Sequence, residues 1–198
     1  MITAERVKEL RDRTGAGMMD CKAALTQAGG DLEKAVDILR KKGIAVASKK
    51  AGREAREGIV DAYIHLGGRI GVLLELNCET DFVARTPEFK ELAHELSMQV
   101  AAARPLYTRR EEIPAEEVEK ERSLQRERVL AEGKPERVAD KIVEGRMDKY
   151  YQELCLMEQA FIRDPSRRVS DIVTDAVARI GENITVGRFV RFEIGEKR

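Results

Sequence analysis

The chain has 198 residues, enough for one or two domains with a genuine core, and its 36 Lys and Arg are balanced by 36 Asp and Glu. Local stretches repeat that balance: Arg104 to Arg137 carries nine basic and nine acidic residues, so no basic stripe exists to track nucleic acid or an anionic membrane. The longest uncharged apolar run falls far short of the roughly 20 residues of a spanning helix. Three widely spaced cysteines, no CxxC and no apolar leader after Met1 read as a cytosolic chain with reduced thiols. Two Asn, an excess of Arg over Lys and 36% charged residues lean towards a heat-adapted source.

Residues 1–43 read as a three-helix unit. Thr3 caps a helix carrying Val7 and Leu10 that ends near Thr14-Gly15. A second helix runs through Cys21, Ala24 and Leu25 to Gly29-Gly30. Asp31 caps a third, with Leu32, Ala35, Val36 and Leu39 inward and Gly43 as its stop. Residues 44–57, rich in Ala, Lys and Arg, read as a partly helical linker. From Gly58 the period changes to two. Ile59 to His65, Gly67-Gly68 and Arg69 to Leu76 form a hairpin.

Thr86-Pro87 starts the next helix, whose apolar face is Phe89, Leu92, Leu96 and Val100. A charged helix over 114–131 follows, with Glu116 and Lys120 at a favourable spacing, lying on the surface or projecting. Another begins at Pro135, carries Val138, Ile142, Val143 and Met147, and runs on past Leu156 and Met157 to Asp164-Pro165. Val169 to Ile180 reads as an amphipathic helix with Ser170 as a candidate cap, and Ile184 to Ile194 alternates as a last strand that pairs with the hairpin. The class is α+β, a three-stranded antiparallel sheet covered by helices behind a helical N-terminal unit. The domain division is 1–43, 44–57 and 58–198.

Glu75-Leu-Asn-Cys-Glu-Thr-Asp-Phe-Val-Ala-Arg85 stands out. It leaves a buried strand and at once supplies Asn77, Glu79, Thr80 and Asp81 as turn and capping oxygens beside a lone ring, Phe82. One reading has Thr80 or Asp81 capping a short helix while Phe82 and Val83 fold back onto the core. The other has a rigid strand end presenting the ring and a carboxylate to another molecule.

No metal set is apparent, since His65 and His94 are the only histidines and neither has a ligand partner at suitable spacing. No phosphate-cradling glycine loop occurs; Gly15-Ala-Gly17-Met-Met-Asp20 lacks the pattern beyond its first three residues. Cys78 beside Glu79 suggests a nucleophile and base, but adjacent residues on an extended chain point apart. Neither a catalytic set nor a cofactor site is expected.

Two long motifs carry a family resemblance. Leu10-Arg-Asp-Arg-Thr-Gly-Ala-Gly-Met-Met-Asp-Cys-Lys-Ala-Ala-Leu25 and Glu75–Arg85 resemble, in order and spacing, the N-terminal and central motifs of translation elongation factor Ts. That family exchanges nucleotide on the GTPase elongation factor Tu, in the bacterial cytoplasm. The resemblance implies that residues 1–43 are a ubiquitin-associated-like domain. It further implies that Thr80, Asp81, Phe82 and Val83 form the element that disturbs the partner's magnesium, and that Met18, Met19 and Lys22 touch the partner's nucleotide-binding domain. One of the two methionines is expected to pack inward. The chain resembles the short, single-core form, which implies a symmetric homodimer. No direct nucleic-acid or membrane partner is implied. Two other classes stay open on the residues alone: a ubiquitin-associated-type interaction module without exchange activity, and an enzyme built on Cys78 and Glu79.

Overall fold

A computed structural model describes residues 2–196. Eight α-helices are present among them: α1 (Ala4–Thr14), α2 (Met18–Gln27), α3 (Leu32–Lys50), α4 (Asp81–Ala84), α5 (Pro87–Ala103), α6 (Ala115–Ala131), α7 (Glu136–Leu154) and α8 (Val169–Ile180). The strands are β1 (Glu57–Ile64), β2 (Ile70–Cys78), β3 (Ala160–Phe161), β4 (Asp164–Arg168) and β5 (Thr185–Glu193). The chain divides into two compact units. One holds Met1–Ile59, Leu76–Ala93 and Asp171–Val186; the other holds Val60–Glu75, His94–Ser170 and Gly187–Arg198.

Within the first unit the N-terminal helices form as their end signals dictate. The Thr3 hydroxyl accepts from the Arg6 amide, and Gly15 closes α1 at φ 67°, a left-handed conformation that favours glycine. The Asp31 carboxylate accepts from the Lys34 amide at 3.1 Å to open α3. Val7, Leu10, Cys21, Ala24, Leu25 and Ala35 make their common core.

Gly43 does not stop α3. The helix runs on to Lys50, and Gly43 is buried against α8, where an added Cβ would lie 3.5 Å from the Ala178 methyl. A glycine on a helix face can mark close packing as well as an ending, and the sequence alone does not separate the two. Arg40 pairs with Asp171 at 3.2 Å along the same contact.

The principal sheet has strand order β1-β2-β5. The β1–β2 turn closes with the His65 amide donating to the Ile70 carbonyl, and the Ile194 amide donates to Arg69 beyond the end of β5. Both links fit the antiparallel α+β architecture. In the second unit, α6 and α7 form a helical hairpin over Val129, Ala139, Val143 and Met147. The charges of α6 reach across to α7: Arg122 pairs with Glu144, Arg126 with Asp140, and Arg146 of α7 with Glu132.

The helix from Pro135 ends earlier than its apolar pattern implies. After Leu154 the backbone extends at Cys155, and Leu156 N–H donates to Tyr107 while Met157 N–H donates to Thr108. Cys155 and Leu156 are fully buried by this pairing, so their hydrophobicity reflects an edge contact, not a helical face. A short hairpin, β3–β4, then occupies the stretch read as helix end. Gln99 and Gln159, both buried, bond to one another at 3.1 Å. The Gln99 Oε1 also accepts from Ile162 N–H at 2.8 Å, which holds the hairpin turn.

Candidate functional site

The motif after β2 lies wholly in the first unit. Strand β2 delivers Leu74, Leu76 and Cys78 to the interior, each fully buried, and so fixes where the chain emerges. The Cys78 thiol donates to the Thr80 carbonyl at 3.2 Å. Burial, reinforced by the Glu182 charge, pushes that thiol up to about 11, so at neutral pH it stays protonated. Glu79 does not serve it as a base. Its carboxylate accepts the Asn183 amide at 2.7 Å and pairs with Arg53 at 3.4 Å, and those contacts hold its pKa below the usual range. The nucleophile-and-base reading of Cys78 and Glu79 therefore fails on geometry.

Thr80 is extended, at φ −129° and ψ 150°, and its hydroxyl oxygen accepts from Val83 N–H to cap α4. Four residues are too few to hold a helix unaided, because nucleation alone is unfavourable. The anchors come from inside. Val83 and Ala84 are buried, and the Thr86 hydroxyl donates to the Val83 carbonyl at 2.8 Å. Asp81 faces outward and accepts from Arg85 at 2.7 Å, one turn on.

Phe82 is the exception to the fold-back expectation. Val83 turns inward and Phe82 does not: the residue is 77% exposed. Single exposed apolar residues are ordinary. What sets this one apart is its mounting, a large rigid side chain on a helix whose base is tied on three sides.

The third tie comes from a segment with no local signal in the sequence. The Glu182 carboxylate accepts from Glu79 N–H and Thr80 N–H on one oxygen, both at 3.0 Å, and from the Thr80 hydroxyl on the other at 2.6 Å. Asn183, nearly buried, donates its side-chain amide to the Arg53 carbonyl at 2.7 Å, and Lys50 at the end of α3 donates to the Gly181 carbonyl. Glu182 thus holds Thr80, and Asn183 holds Glu79 and Arg53, while Phe82 and Asp81 stand exposed.

On α2, Met18 and Met19 are both exposed, at 49% and 73%. The expectation that one packs inward is not met, because the inward row of α2 is Cys21, Ala24 and Leu25. Met19 and Lys22 border a shallow groove with Ala23, Thr26 and Gln27. Asp20, between the methionines and Lys22, is held by Lys42 of α3 at 2.6 Å.

The sequence model of the family described as Elongation factor TS matches residues 43–196, most of the chain and all of the α4 motif. The chain belongs to the elongation factor Ts family. Full-length relatives extend the likeness to the N-terminal helices. The elongation factor Ts of Carboxydothermus hydrogenoformans is 62% identical over 196 residues, covering 99% of this chain and 90% of that protein. That of Thermoanaerobacter sp. is also 62% identical, covering 96% of its own length, and that of Heliobacterium modesticaldum is 61% identical, covering 91%. Membership puts the chain among the elongation factors of protein biosynthesis. Among the described residues, no helix is long and apolar enough to cross a membrane, and no group of three or more His, Cys, Asp or Glu could hold a metal.

Proposed function

We propose that this protein is the guanine-nucleotide exchange factor of elongation factor Tu, working in the bacterial cytoplasm and performing no covalent chemistry. The observation that carries the reading is Phe82, exposed on a helix braced from within. A GTPase holds GDP through phosphate-loop amides and a magnesium ion, both dependent on local geometry. Insertion of the Phe82 ring, with Asp81 bringing charge, shifts those loops and loosens the ion. Thr80 caps the element and Val83 seats it. Binding linkage makes the effect reciprocal: the factor weakens GDP as much as GDP weakens the factor.

Magnitudes require a second contact. A ten-thousandfold weakening of GDP takes about 5.5 kcal/mol of coupling, whereas one desolvated aromatic anchor supplies about 2–4 kcal/mol. Met18, Met19 and Lys22 supply the remainder from the ubiquitin-associated-like unit, residues 1–43, against the partner's nucleotide-binding domain. Residues 44–57 connect it to the core, 58–198.

The core pairs with a second copy. On one face of the principal sheet, Val60, Ile64 and Leu73 are exposed, flanked by the Arg188–Glu75 pair at 2.9 Å. Exposed apolar side chains gathered on one sheet face suit a self-complementary two-fold interface.

The assay is release of fluorescent GDP from elongation factor Tu. Wild type accelerates release, and Phe82→Ala reduces that acceleration about thirtyfold or more. A variant as fast as wild type would refute the insertion mechanism, and a wild type without effect would leave an interaction module without exchange activity.

A further inference from the structure

We infer that Glu182 is the positioning residue of the exchange element, setting the entry angle of α4 so that Phe82 is presented in one orientation. The inference rests on the proposed exchange activity and adds a residue that the motif itself does not contain.

The geometry has three parts. First, all three donors that Glu182 satisfies belong to the two residues immediately before α4, so the carboxylate fixes the backbone at the base of the helix. Second, the arrangement is reciprocal: while Glu182 takes the 79 and 80 amides, the Glu79 carboxylate takes the Asn183 amide. Each strand of the clasp therefore holds the other, and rotation of either breaks bonds on both. Third, Glu182 is itself fixed from both sides. Gly181 before it leaves α8 at φ 86° with its carbonyl taken by Lys50, and Asn183 after it is held to Arg53. A helix of four residues has no independent persistence, so the angle of the ring is inherited from this clasp.

Reach, more than charge, is what the clasp uses. A glutamine retains the length and keeps one oxygen for the two amides, with its NH2 group facing the Thr80 hydroxyl. An aspartate retains the charge but falls one methylene short of donors already at hydrogen-bonding distance. A charge-only role for Glu182 ranks the variants in the opposite order.

The test compares Glu182→Ala, Glu182→Asp and Glu182→Gln with Phe82→Ala on two readouts. One is the slope of fluorescent-GDP release against factor concentration. The other, independent of the GTPase, is hydrogen exchange at the Glu79 and Thr80 amides of the free protein, with the β2 amides as internal reference. Glu182→Ala and Glu182→Asp are expected to lower the slope about tenfold and to speed exchange at those two amides by a similar factor, with β2 unchanged. Glu182→Gln stays within about threefold of wild type on both. Unchanged protection in Glu182→Ala, or an aspartate variant that outperforms the glutamine one, would overturn the inference. If Phe82→Ala is impaired while Glu182→Ala exchanges nucleotide normally, the positioning role falls and the exchange reading stands. If Phe82→Ala is itself indistinguishable from an active wild type, the insertion mechanism falls first and takes this inference with it, and a wild type without effect removes the exchange reading itself.

Discussion

Phe82 and Val83 are neighbours of similar hydrophobicity, yet one ring is exposed and the other side chain is buried. Composition does not distinguish them; the helical turn set by the Thr80 cap does, because it rotates successive side chains to different faces. Glu79 has a measurable consequence of its own. Its pKa is lowered first by the Asn183 amide and then by Arg53, so its folded value lies below its unfolded one. The stability it contributes is complete above the unfolded value of about 4.3 and is lost as pH falls through the folded value. Thermal unfolding followed by circular dichroism should therefore show an acid limb below about pH 4.3 that is shallower in Glu79→Gln than in wild type, with the two curves parallel from pH 5 to 7. Superimposable acid limbs would remove Glu79 from the clasp. A cap at Thr80 or Asp81 was legible in eleven consecutive residues; which of Phe82 and Val83 turns inward was not. Glu182 and Asn183 were not, because a partner 102 to 104 positions away leaves no periodicity or spacing to read.

Element boundaries were legible where a single residue type has a single use. Thr3, Gly15 and Asp31 end or begin helices as their chemistry requires. Gly43 and the stretch past Leu154 were misread for the same physical reason: burial was decided by a distant element, not by the local pattern. Gly43 makes this testable. Within a helix, Gly is less favourable than Ala by about 0.5–1 kcal/mol, and an added methyl at this site meets Ala178 at an ordinary 3.5 Å. Gly43→Ala should raise stability by about that amount in urea unfolding, whereas Gly43→Leu should lower it by about 1–3 kcal/mol through overpacking against α8. A stabilising leucine would mean that the α3–α8 contact is absent. The continuity of α3 also bears on truncation: a cut after Gly43 divides a helix, so a deletion of the N-terminal helices is made beyond Lys50.

For the molecule as a whole, the three-stranded sheet and the break between α6 and α7 followed from alternation and punctuation, whereas the strand order and the pairing of α6 with α7 did not. The proposed two-fold association did not, because an outward strand face shows only which side chains are exposed. Leu73 lies on the middle strand of the sheet and is 47% exposed. Leu73→Glu should convert a species sedimenting at twice the chain mass into one at the chain mass, with the circular dichroism spectrum unchanged. A wild type already at the chain mass would rule the association out. The clasp has one further consequence, for synthesis of the factor itself. Because Glu182 follows Thr80 by 102 residues, the ring of a nascent copy is made long before the carboxylate that steadies it. On the proposed mechanism, a copy cut short of Glu182 carries the wedge without its aim.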